Sequence, residues 1–76
     1  MAHVEIGRIV REARKAAGLR QDQLAASAGV GVRFVVELER GKPTAQLDKI
    51  LRVFEALGLK MAVLPAGTDG GPGTPP

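Results

Sequence analysis

Arg33 and Glu37 stand one helical turn apart in the run AGVGVRFVVELERGK. An arginine fork donates two parallel hydrogen bonds to guanine O6 and N7, and a carboxylate accepts from a cytosine amine. Val32 and Val36 are also four residues apart. Exposed, such valines reach thymine methyl groups; buried, they only pack. Arg20, Gln21, Gly31, Arg40 and Lys42 surround this set as candidate phosphate ligands. Gln21 opens a helix whose amide-rich start favours an anion. Each phosphate neutralised adds about one unit to the salt dependence of binding. The expected chemistry is recognition of double-stranded DNA, with Val32, Arg33 and Glu37 facing bases. Glu37 has two further readings: it could repel phosphates and so tune specificity, or pair with a nearby cation.

Other chemistry is poorly served. His3 is the one histidine and lies beside the N-terminus, where a general base lacks positioned neighbours. Ser27 is the one serine, with no histidine or lysine near it in sequence to activate it. There is no metal-ligand cluster and no glycine-rich loop followed by Lys-Ser/Thr. The expectation is a non-enzymatic protein with no catalytic residue, no metal and no cofactor.

The elements that position the candidate readers are helical. Val4 to Ala17 carries an apolar stripe of Ile6, Ile9, Val10, Ala13 and Ala17, with Arg8, Arg11 and Lys15 mostly off it. Gly18 stops that helix, and Leu19 has the spacing of a hydrophobic staple to Leu24. A second helix is predicted from about Gln21 to Ala28, and Gly29 takes the turn that follows. Gly31 caps a third helix running to about Arg40, and Gly41 ends it. Pro43 and Thr44 open the fourth, with Thr44 as its cap and Leu47, Ile50, Leu51, Phe54 and Leu57 as its stripe. Gly58 terminates it. Two short helices about a glycine turn are how a DNA-binding helix-turn-helix is written, the second helix held out toward a major groove. Arg14 and Glu39 could pair where the first and third helices meet, fixing orientation more than adding stability.

The fold class expected is therefore all-α: four helices followed by one C-terminal β-strand. That strand is Leu59, Lys60, Met61, Ala62, Val63 and Leu64, too short for a helix and closed by Pro65. A lone strand must find partners for its backbone groups, and pairing with its own copy across a homodimer satisfies them. Residues 1–64 form the DNA-binding domain, and the Gly/Pro-rich residues 65–76 are expected to be a disordered tail.

Composition sets the outer bounds. The chain has 76 residues, a net charge of +3 and no cysteine. Its pI of about 10.0 suits a polyanion. A small domain without disulfides is only marginally stable alone, which favours oligomers. The lack of cysteine fits a reducing cytoplasm. No apolar run approaches the roughly 20 residues that span a bilayer, and MAHVEIGRIV does not read as a secretory signal.

With these pieces in place, the chain resembles the lambda-repressor-like, Xre-type helix-turn-helix family. The resemblance covers about Ile6 to Leu57 and rests on REARKAAGLRQDQLA, AGV and ELERGKPT. It implies that Gln21 contacts phosphate, that Val32, Arg33 and Glu37 read bases, and that Arg14 and Glu39 form a structural ion pair. The ending FEALGLKMAVLP is similar to HipB-type antitoxins. That similarity implies an autoregulating repressor on a palindromic operator, dimerised through the strand, with a HipA-like kinase toxin as partner. Two departures stand out: Val36 replaces a polar or small residue, and Arg20 replaces a Ser/Thr cap. Two alternatives remain at this level. One is a solitary regulator of the same type. The other is an interaction module without DNA binding, using Val32, Phe34, Val35 and Val36 as an apolar patch.

Overall fold

The structure, a computed structural model, describes residues 2–44 and 46–60. It contains four helices: α1 (Ala2–Ala16), α2 (Gln21–Ala28), α3 (Val32–Glu39) and α4 (Leu47–Ala56). The α1 helix packs on α3, and α2 packs on both α3 and α4.

The apolar residues that recur at helical spacing meet in one core. It comprises Val10 of α1, Leu24, Ala25 and Ala28 of α2, Val35 and Leu38 of α3, and Ile50, Val53 and Phe54 of α4. Leu24, Val10, Val35 and Val53 are fully buried. No polar or charged residue among those described is buried. Such a core leaves the remaining faces free for charge.

Each helix stops at a glycine in the left-handed region. At Gly29 (φ 73°) the chain folds back so that the Gly29 and Val30 amides bond to the Ala26 and Ala25 carbonyls, at 3.3 and 3.0 Å. This two-bond closure satisfies carbonyls that the helix leaves open, and only glycine takes that backbone shape without strain. It also turns the chain from α2 into α3 within Gly29–Gly31. Gly7 serves differently. A methyl group there would lie 2.3 Å from the Leu38 carbonyl oxygen, so its bare backbone lets α1 approach the end of α3.

Several expectations need correction. Ile9 and Ala17 do not join the core; both are exposed. On α4, Leu47 and Leu51 are 53% and 44% exposed, whereas Val53, outside the expected stripe, is fully buried. Two overlapping stripes fit the same periodicity, and the docking of α4 against α2 selects the one through Ile50, Val53 and Phe54. Thr44 does not cap α4, which begins at Leu47 after Gln46. Its hydroxyl accepts the Gln46 amide at 3.0 Å and so shapes the turn before the helix. The third helix agrees with expectation to within a residue, ending at Glu39 with Arg40 as its cap.

The expected strand is not seen at Leu59 and Lys60. The Leu59 amide donates to the Phe54 carbonyl at 2.8 Å, closing α4 beyond Gly58, so it is not free to pair with a neighbouring strand. Met61, Ala62, Val63 and Leu64, and the expected tail, lie outside the described residues.

Candidate nucleic-acid interface

The α3 helix starts from Gly31, whose φ of −73° and ψ of 150° are those of a helix cap. Glycine brings no side-chain acceptor, and no side chain caps this end. The Val32 and Arg33 amides therefore meet no capping side chain, which leaves them to an anion, while the Phe34 amide bonds back to the Gly31 carbonyl at 3.1 Å. Val32 (46% exposed) and Arg33 form that first turn at the surface. Val35 and Leu38 anchor the opposite face in the core. The amphipathic pattern of VRFVVELE thus holds the helix by one side and offers the other.

A partly buried polar knot fixes the angle at which α3 is presented. Arg14 Nε donates to Glu39 Oε2 at 2.7 Å, and Arg14 Nη2 donates to Glu39 Oε1 at 3.0 Å. The side chains are 11% and 5% exposed. Arg14 Nη1 donates to the Leu19 carbonyl at 2.9 Å, and Gln21 Nε2 donates to Glu39 Oε1 at 3.1 Å. Four bonds therefore join the end of α1, the following turn, the start of α2 and the end of α3. Bidentate geometry resists rotation as well as separation. The hydrogen bond to Glu39 pushes the Arg14 guanidinium further above its ordinary range, outweighing the opposing effect of burial. The guanidinium stays charged throughout the working pH range.

Gln21 is thus half-buried and partly committed. One amide hydrogen goes to Glu39, and a primary amide has a second to offer. A shallow hollow of about 320 Å³ opens beside it, lined by Arg11, Arg14, Gln21, Val36, Glu39 and Arg40. Arg11 was absent from the set expected from sequence. Its signal was its position one turn before Arg14, which places both on the same face of α1. Val36 is half-buried in this hollow, between the packed and the exposed extremes.

The other expected ligands are distributed around α3. Arg33 and Arg40 are exposed, and no ion pair among the described residues includes either. Glu37 takes its cation-paired alternative, with Lys42 Nζ 3.2 Å from its Oε2. Arg20 Nε lies 3.1 Å from Asp22 Oδ1, both exposed, and this contact pulls the Asp22 carboxyl below its usual range. Arginine has no acceptor to cap α2 with. Gln23 partly compensates, its Oε1 accepting the Arg20 amide at 2.9 Å. Exposed pairs of this kind add little to stability.

The apolar patch expected for an interaction module does not form as a unit. Val35 is fully buried, Phe34 and Val36 are partly buried, and only Val32 of the four is exposed. Lys49 sits over the Phe34 ring at 5.8 Å, covering it with a cation. Among the described residues no acidic, histidine or cysteine group is arranged to hold a metal, and no helix is long and apolar enough to cross a membrane.

Residues 10–64 match the family model described as helix-turn-helix. The chain belongs to the helix-turn-helix family. It is 54% identical over 63 residues to the uncharacterized HTH-type transcriptional regulator y4mF of Sinorhizobium fredii, with 83% of each chain covered. The fold is similar to the crystal structure of the restriction-modification controller protein C.AhdI from Aeromonas hydrophila. That likeness has a TM-score of 0.71 and 36% identity, covering 78% of this chain and 89% of the other. The chain is accordingly a DNA-binding transcriptional regulator of helix-turn-helix type, a class that is generally non-enzymatic.

Proposed function

We propose that this helix-turn-helix protein is a sequence-specific repressor that binds a palindromic operator as a homodimer. Val32 and Arg33 face the bases, and Glu37, expected among the readers, borders them as the partner of Lys42. Arg20, Gln21, Gly31, Arg40 and Lys42 hold phosphates, joined by Arg11. The observation that carries this reading is the exposed Val32–Arg33 turn at an uncapped helix start, presented by the Arg14–Glu39–Gln21 knot. A second copy, joined through the apolar segment after α4, would supply the other half-site.

Two measurements test it. Titration of a random duplex with salt should weaken binding steeply, with log K falling by about 0.9 per phosphate neutralised. A flat response with no binding would favour an interaction module instead. Replacing Arg33 by alanine should cost on the order of 1–3 kcal/mol at a selected operator and relax preference at one base pair. Unchanged preference removes Arg33 from the reading set.

The narrower antitoxin reading, with a HipA-like kinase as partner, rests on FEALGLKMAVLP, which is described only as far as Lys60. The similar proteins, a transcriptional regulator and a restriction-modification controller, favour a regulator without a toxin. A kinase-like reading frame beside this gene, and a complex on co-expression, would reverse that preference.

A further inference from the structure

We infer that Lys42 is a positioning residue for the recognition helix: it holds the Glu37 carboxylate away from Arg33 and so keeps the Arg33 fork free for a base. The inference rests on the proposal that Arg33 reads DNA. Glu37 follows Arg33 by four residues, which puts both on one face of α3. Opposite charges at that spacing pair on a helix surface. An Arg33–Glu37 pair would occupy the donors that guanine O6 and N7 require.

The end of α3 prevents this. The Gly41 amide donates to the Leu38 carbonyl at 3.0 Å, and the Lys42 amide reaches back to the Glu37 carbonyl at 3.1 Å. In this type of helix stop, the outermost residue lies against the helical residue it bonds, and the two side chains are commonly apolar. The α4 end follows the rule, with Leu59 bonded to Phe54. At α3 the same two positions carry Lys42 and Glu37. The backbone therefore brings the ammonium to the carboxylate, and Nζ lies 3.2 Å from Oε2. Glu37 and Lys42 also share the walls of a small hollow with Phe34, Pro43 and Thr44, on the α4 side of the helix. Lys42 thus acts on specificity through Glu37, beyond any phosphate it contacts.

The test uses the full chain and an operator selected from a random duplex library. Binding to that duplex is compared with binding to one altered at the base pair Arg33 reads, using fluorescence anisotropy. Lys42→Gln should reduce discrimination between the two roughly two- to fivefold, the range an exposed ion pair commands. Adding Glu37→Gln should restore discrimination, and Lys42→Arg alone should preserve it. Urea midpoints report whether each variant remains folded. The inference is overturned if Lys42→Gln weakens both duplexes equally and Glu37→Gln restores nothing, since Lys42 is then only a phosphate contact. If Arg33→Ala leaves discrimination intact, the base-reading proposal falls, and this inference falls with it.

Discussion

Glu39 carries the heaviest load of any single side chain. Its two carboxylate oxygens accept three hydrogen bonds from two other helices while only 5% exposed. Removing one partner of such a pair strands the other charge, and the penalty exceeds what the intact pair contributes. Glu39→Ala should therefore cost about 3 kcal/mol of stability, measured as a shifted urea midpoint. Replacing both partners, Arg14→Met with Glu39→Leu, should recover most of that loss, because no charge is left buried. DNA affinity should not recover in parallel, since apolar residues do not fix the angle between α2 and α3. A double variant that regains both equally would show the knot to be dispensable for presentation. The exposed pairs differ in kind. Arg20–Asp22 and Lys42–Glu37 are solvated and add little to stability.

Among the elements, α3 is held by contacts that glycine makes possible. Gly7→Ala raises helix propensity by roughly 1 kcal/mol in an exposed helix. Here its methyl group would meet two backbone carbonyls, at 2.3 Å from Leu38 and 3.0 Å from Glu39, which cannot rotate away. The overpacking should dominate and destabilise the fold by about 1–3 kcal/mol, read as a lower melting temperature. Gly31 presents the opposite case. Its φ is ordinary for a cap and the space around it is open. Gly31→Asp should add a few tenths of a kcal/mol by capping α3, yet weaken DNA binding by placing a carboxylate at the anion-binding end. Thermal melts and anisotropy on the same sample should move in opposite directions. If both improve, the start of α3 does not meet phosphate.

At the scale of the whole molecule, one copy offers one short recognition helix. Eight residues of α3 can read only a few base pairs, so a useful operator specificity draws on two copies. On a two-fold axis the half-sites fall about one turn apart, roughly 34 Å. Inserting half a helical turn of DNA between them should abolish cooperative binding, whereas a full turn should partly restore it. A gel-shift series with graded spacers measures this. Spacing without effect would point to independent monomers. DNA shape between the half-sites would then add specificity where no side chain touches a base.

What the sequence by itself determined was local. Periodicity predicted four helices, glycines marked their stops, and the approximate α2 boundaries were legible, because caps and left-handed turns depend on neighbours in the chain. The position of Arg33 on a helix start followed from the same signals. Only the tertiary structure decided which of two overlapping stripes on α4 is core, placing Val53 inside and Leu47 and Leu51 outside. It also decided that Gly7 is a contact point, that Arg11 shares a hollow with Arg40, and that Glu37 belongs to Lys42. These depend on how helices dock, and a helical repeat states that a face exists without stating what it will meet.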